Sequence, residues 1–116
     1  MGAPVKEQVG IDAVAALDVR VGTIVAVSDV PGSGKLVRLD VDFGDFRRTV
    51  LAGMKKERDD PREIEGRQAL FVVNLAPRTM AGIVSEGMLF DIGYEDGITP
   101  VLAVPEKPVP DGVRAG

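Results

Sequence analysis

From Leu36 to Phe43 the chain alternates strictly, with Val37, Leu39, Val41 and Phe43 on one side and Leu36, Arg38, Asp40 and Asp42 on the other. A period of two marks a strand with one buried face, because successive side chains of an extended chain point opposite ways. The preceding stretch has the same character: Val19, Val21, Thr23, Val25 and Val27 are predicted to share one face, with Arg20 on the other. Pro31-Gly32-Ser33-Gly34 is read as the turn between these two strands, and Gly44-Asp45 as a tight hairpin turn into a third, Phe46–Ala52. Ala69–Leu75 is a continuous apolar run, as expected of a strand buried on both faces, and Gly87–Ile92 reads as a fifth strand after a loop over Pro77–Ser85.

A polar stretch separates the third strand from the fourth. In Asp60-Pro61-Arg62-Glu63, Asp60 suits a helix N-cap, Pro61 the first helical position and Glu63 the reciprocal cap, with Gly66 keeping the helix short. The first ten residues read as loose, and Asp12 as the cap of a short helical turn through Leu17. Beyond Ile92, Gly93–Gly97 turns into an apolar piece, Val101–Val104, and Pro105, Pro108 and Pro110 suit an extended tail packed over something else.

Three strands, a short helix and two strands are the elements of an OB-fold, a five-stranded, partly open all-β barrel with its helix between strands three and four. An SH3-like barrel is the competing arrangement, and it would not need the insert at 60–66. Barrels of the OB type bind oligonucleotides and oligosaccharides with the face of strands two and three and with the 1–2 and 4–5 loops. Here those loops are Asp29–Gly34 and Ala76–Ser85, and Lys35 and Arg78 stand at or in them.

Composition narrows the chemistry. The 116 residues suit one domain, residues 1–116, and 45% are hydrophobic, enough for a core filled by aliphatic rather than aromatic side chains. No cysteine and no histidine is present, which excludes disulfides, thiolate zinc sites and both serine–histidine and cysteine–histidine catalysis. No Asp/Glu pair has the setting of a glycosidase, and a solvated face explains Asp40 and Asp42 better than a cation does. Gly32 and Gly34 lack the following Gly-Lys-Ser/Thr of a phosphate-cradling loop. A non-enzymatic protein without a cofactor is expected. The N-terminus has no apolar run of signal-peptide length and the chain no 18-residue apolar stretch, so a soluble, cytoplasmic protein is expected, with no membrane partner.

The formal charge of -4 argues against a generic nucleic-acid binder, but its distribution is uneven. Lys35–Arg78 holds ten Lys/Arg against eight Asp/Glu, whereas the remainder holds four against ten. In the loop after the fourth strand, the Arg78 guanidinium matches phosphate oxygens, Ser85 offers a hydroxyl and Met88 a soft surface for a base. Each has a plainer alternative: Arg78 as an ordinary loop arginine, Met88 as a core or interface residue, Asn74 as an amide pinning loop backbone. With few free aromatic rings for stacking on single strands, the residues favour recognition of folded RNA by shape and backbone.

Leu17-Asp18-Val19-Arg20-Val21-Gly22-Thr23-Ile24 resembles the opening strand of the tRNA-binding domain family. Val73-Asn74-Leu75-Ala76-Pro77-Arg78, Gly82 and Ser85-Glu86-Gly87-Met88-Leu89 resemble its most characteristic stretch, and Pro31-Gly32-Ser33-Gly34-Lys35-Leu36 its strand 1–2 loop. The histidine and acidic residues frequent in that loop in some members are missing here. Members include stand-alone bacterial tRNA-binding proteins, C-terminal appendices of methionyl-tRNA synthetases and CsaA-type secretion chaperones. The resemblance implies an OB-fold whose C-terminal extension, residues 93–116, serves homodimerisation, and a dimer that grips tRNA by shape. It assigns RNA contacts to Lys35, Asn74, Arg78, Ser85 and Met88. A partner synthetase, or unfolded export clients of a chaperone, follow from the same resemblance.

Overall fold

Strand β1 (Val19–Asp29) serves both halves of the barrel in the computed structural model, which describes residues 2–116. Its first half pairs antiparallel with β4 (Gln68–Val72), Val19 opposite Val72 and Thr23 opposite Gln68; its second half pairs with β2 (Val37–Asp42). β2 pairs in turn with β3 (Arg47–Ala52), and β4 with the short β7 (Met88–Leu89), giving the order β3-β2-β1-β4-β7. Residues just before β7 close the ring against β3. The Glu86 N–H donates to the Thr49 carbonyl (2.8 Å), the Thr49 N–H to the Glu86 carboxylate (3.1 Å) and the Leu51 N–H to the Ser85 hydroxyl (3.0 Å). The fold is an all-β, nearly closed five-stranded barrel of the OB type, as its element order predicts.

The alternation read in β2 holds: Val37, Leu39, Val41 and Phe43 are buried, and Phe43 packs edge-on to Phe71 at 5.4 Å and stacked on Phe46 at 5.2 Å. In β1 it holds only in part. The register slips between Ile24 and Ala26, so Ile24 and Val27 are both buried while Val25 between them is exposed. A bulge of this kind inserts one residue and reverses which face the later side chains take. Before the bulge, Gly22 and Ile24 line the barrel, and at Val21 the free edge of the strand is taken by the C-terminal segment, whose Val113 carbonyl accepts the Val21 N–H at 2.9 Å.

Asp60 caps as expected, accepting the Arg62 N–H at 3.0 Å, and Pro61 opens a single 3₁₀ turn, Pro61–Ile64. Glu63 does not close a reciprocal cap; its carboxylate pairs with Arg58 at 2.6 Å. The turn's purpose is Ile64, which is completely buried and plugs the barrel, a burial worth about 1.5–3 kcal/mol. Glu65 then accepts the Val27 N–H (2.8 Å) beside the bulge.

Four further segments depart from the sequence reading. The ladder of β4 stops at Val72; Val73 is still buried, but Leu75 is exposed. Pro77–Ser85 is a hairpin rather than a loop, β5 (Arg78–Met80) against β6 (Ile83–Ser85). Gly87–Ile92 breaks into β7 and β8 (Asp91–Ile92), the latter pairing with β9 (Val101–Leu102). Helix α1 (Ile11–Ala15) begins after Gly10, with Asp12 inside its first turn rather than capping it, and buries no residue. The C-terminal segment ends in β10 (Arg114–Ala115) beside Val19 and Arg20. Among the described residues no helix is long and apolar enough to cross a membrane.

Two carboxyls tie stability to pH. The hydrogen bond from Arg20 lowers the Asp18 carboxyl below its ordinary value, and the Val27 N–H lowers Glu65. A lowered folded value means stability that is fully present above the ordinary carboxylate range and lost as the pH falls through the folded value. Through these two groups the urea midpoint is expected to fall as the pH drops below about 5, less steeply in Glu65→Gln, while Glu57, whose carboxyl burial raises, contributes in the opposite sense.

Candidate nucleic-acid interface

The β1–β2 loop is built to turn tightly and hold Lys35 outward. Val30 is buried beneath it, and the Ser33 hydroxyl accepts the N–H groups of Leu36 (3.0 Å) and Lys35 (3.3 Å), a local turn that serine favours. The Lys35 stem lies over Gly53, where a Cβ would come within 2.7 Å of Lys35 Cε. Two residues before Gly53, Leu51 bonds to Ser85, and Ser85 is the register partner of Arg78. The Lys35 stem thus lies over the residue that follows β3, and Arg78 is joined to β3 through its register partner Ser85. Among the described residues neither makes an ion pair.

The β5–β6 hairpin turns on Ala81 (φ 49°) and Gly82 (φ 79°). Two successive left-handed residues match the twist of the flanking strands, at a cost of about 1 kcal/mol for the alanine. Met88 lies on β7 beside Val72 with its side chain about half exposed. Ser85, by contrast, is buried; its hydroxyl accepts from Leu51 and donates to the Gly87 carbonyl (3.3 Å), so it is engaged within the barrel seam.

Asn74 stands apart from these. Its Oδ1 accepts the Asp18 N–H at 2.8 Å and its Nδ2 donates to the Ala16 carbonyl at 2.9 Å. The amide does pin loop backbone: it staples the link between α1 and β1 to the stretch that follows β4. Asn74→Ala is expected to cost about 1–2 kcal/mol and to speed hydrogen exchange at the Asp18 amide. Unchanged exchange there would exclude the staple.

The outer face of β2 and β3 is electrostatically mixed: Arg38 pairs with Asp40 (3.2 Å) and Arg47 with Asp42 (3.6 Å). Phe46 is enclosed by the guanidiniums of Arg20 (5.5 Å) and Arg48 (4.6 Å), which leaves its ring unavailable for stacking. At the loop edge Lys56 lies near Lys35; its ammonium is 3.8 Å from where a Gly34 Cβ would sit. Glu57 tempers that edge. Burial pushes its carboxyl up from the ordinary value, Asp91 adds to this, and Arg58 and Lys35 oppose it. Lys55 and Lys56 stand beside the β1–β2 loop, and the sequence alone did not single them out. Their only signal was two adjacent lysines after the third strand, a pattern common on any solvated surface.

A family model described as "Putative tRNA binding domain" matches residues 19–114. The methionine–tRNA ligase of Nitrosomonas europaea is 39% identical over 112 residues, 97% of this chain but 16% of that protein. The chain therefore spans about one sixth of the length of such curated relatives. Among solved structures, a MetRS related protein from Pyrococcus horikoshii superposes with a TM-score of 0.87 at 33% identity, covering 96% of this chain and 100% of that one. The chaperone CsaA of Bacillus anthracis does so at 0.82 and 29%, covering 95% and 100%. By its barrel, its loop edge and the match over 19–114, the chain belongs to the tRNA-binding domain family.

Proposed function

We propose that this chain is a non-catalytic module that binds structured tRNA in the cytoplasm, as a homodimer. What supports this reading is the pair Lys35 and Arg78, exposed and, among the described residues, without an ion-pair partner, at the end of the β1–β2 loop and on the hairpin after β4, the loops an OB barrel uses for ligands. Met88 offers an apolar surface between the loops. Asn74 and Ser85 act on the RNA indirectly, by holding the hairpin and its approach in place. The mixed charge of the remaining surface suits backbone contacts at few points, hence recognition by shape.

Dimerisation is supported by the apolar groove of about 880 Å³ lined by Ile11, Val14, Leu17, Val19, Phe90 and Val113. Helix α1 is too short to persist alone and buries nothing within one copy, so a second copy covering it stabilises both. A dimer also doubles the phosphate contacts offered to one RNA. The likeness to methionine–tRNA ligases supports a role beside or within a synthetase.

Fluorescence anisotropy with a folded tRNA and with unstructured RNA of equal length tests the reading. Folded tRNA is expected to bind tighter, with log affinity falling linearly against log salt. Equal affinity for both RNAs would exclude shape recognition. The groove supports a second reading, a chaperone holding unfolded export-bound polypeptide. Ile11→Glu separates the two: it should weaken polypeptide capture directly, and tRNA binding only through loss of the dimer seen by sedimentation.

A further inference from the structure

The β1–β2 loop contains two glycines and no buried anchor beyond Val30, yet one distant side chain reaches into it. Lys55 is three-quarters buried, and its ammonium donates to the carbonyls of Val30 (3.3 Å) and Ser33 and pairs with the Asp29 carboxylate at 2.5 Å. Its backbone N–H donates to the Lys35 carbonyl at 3.0 Å. One residue thereby ties the loop at its start, its middle and its end. Three ammonium protons meeting three oxygens leave Lys55 no donor for an outside anion. Lys35, immediately after the loop, has none of these ties on its own ammonium.

We propose that Lys55 is a positioning residue, which holds the β1–β2 loop closed and so presents Lys35 to RNA phosphate without touching the RNA itself. This rests on the tRNA-binding reading above. Without the tie, Pro31–Gly34 samples many conformations, and binding must order them; a loop already ordered avoids that cost.

Lys55→Met keeps the apolar stem and deletes the donors. Hydrogen exchange of the Gly32–Gly34 amides in the free protein is expected to accelerate severalfold, and tRNA affinity to fall about threefold through loss of preorganisation. In a Lys35→Ala background the same change should leave affinity unaltered, because the cation being positioned is gone. An equal loss in both backgrounds would overturn the proposal in favour of direct contact, and so would unchanged loop exchange. Asp29→Asn supplies a second variant: simple electrostatics predicts stronger RNA binding on removing a carboxylate, whereas a loosened loop predicts weaker binding. Wild-type protein that bound no tRNA would remove the functional reading alone, since loop exchange judges the tie independently.

Discussion

Gly22→Val is expected to abolish the cooperative unfolding transition, and Gly22→Ala to cost about 2–3 kcal/mol, by overpacking the core. A Cβ at this position would lie 2.6 Å from a Val41 methyl and 2.7 and 2.9 Å from two Phe43 ring carbons. None of these atoms can retreat. Val41 is fully buried, and Phe43 is held between Phe46 and Phe71. The reason for glycine is therefore space rather than backbone conformation. A domain of this size has only about 5–15 kcal/mol of stability to lose. Gly32→Ala is the contrasting case: nothing lies within 4 Å, but φ is +82°. It should cost about 1 kcal/mol through backbone strain alone. Urea unfolding of the three variants checks the order, and a Gly22→Ala midpoint equal to wild type would refute it.

The second large effect concerns binding. Lys35→Ala/Arg78→Ala is expected to weaken tRNA binding about 50-fold at 0.1 M salt, each lost phosphate contact removing about 0.7–0.9 from the log–log salt slope. Since both side chains are exposed and make no ion pair among the described residues, the fold should be indifferent to their loss. The slope also reports stoichiometry. If one subunit of the dimer touches the RNA it should fall by about 1.4–1.8, and if both subunits grip it, by about 2.8–3.6. A double variant with the wild-type slope would remove both residues from the interface.

The barrel was legible because β2 alternates without a fault and Gly44 and Pro61 punctuate where the chain must turn. The bulge in β1 was not, since five β-branched residues in alternation look the same whether or not the register slips behind them. The β5–β6 hairpin was hidden by its three-residue strands and by an alanine where a left-handed turn usually shows asparagine or glycine. At the site, Lys35 and Arg78 could be placed on adjoining loops from the fold class alone. Ser85 and Asn74 could not be resolved further, because their partners, Leu51 and Ala16–Asp18, lie 34 and 56–58 residues away in sequence. Lys55 was invisible for the same reason.

The strap formed by the C-terminal segment sets the order of assembly. Thr23 donates to Asp111 across 88 residues of sequence, and Gly112 crosses Phe43 so closely that a Cβ would lie 2.2 Å from its carbonyl oxygen. The outer edge of β1 at Val19–Val21 is therefore made well before the segment that covers it. On the ribosome that edge stays open until residues 111–115 have emerged. Contacts so distant in sequence make for slow completion of folding. During that interval the nascent chain carries an unpaired strand edge, the feature through which β proteins associate wrongly.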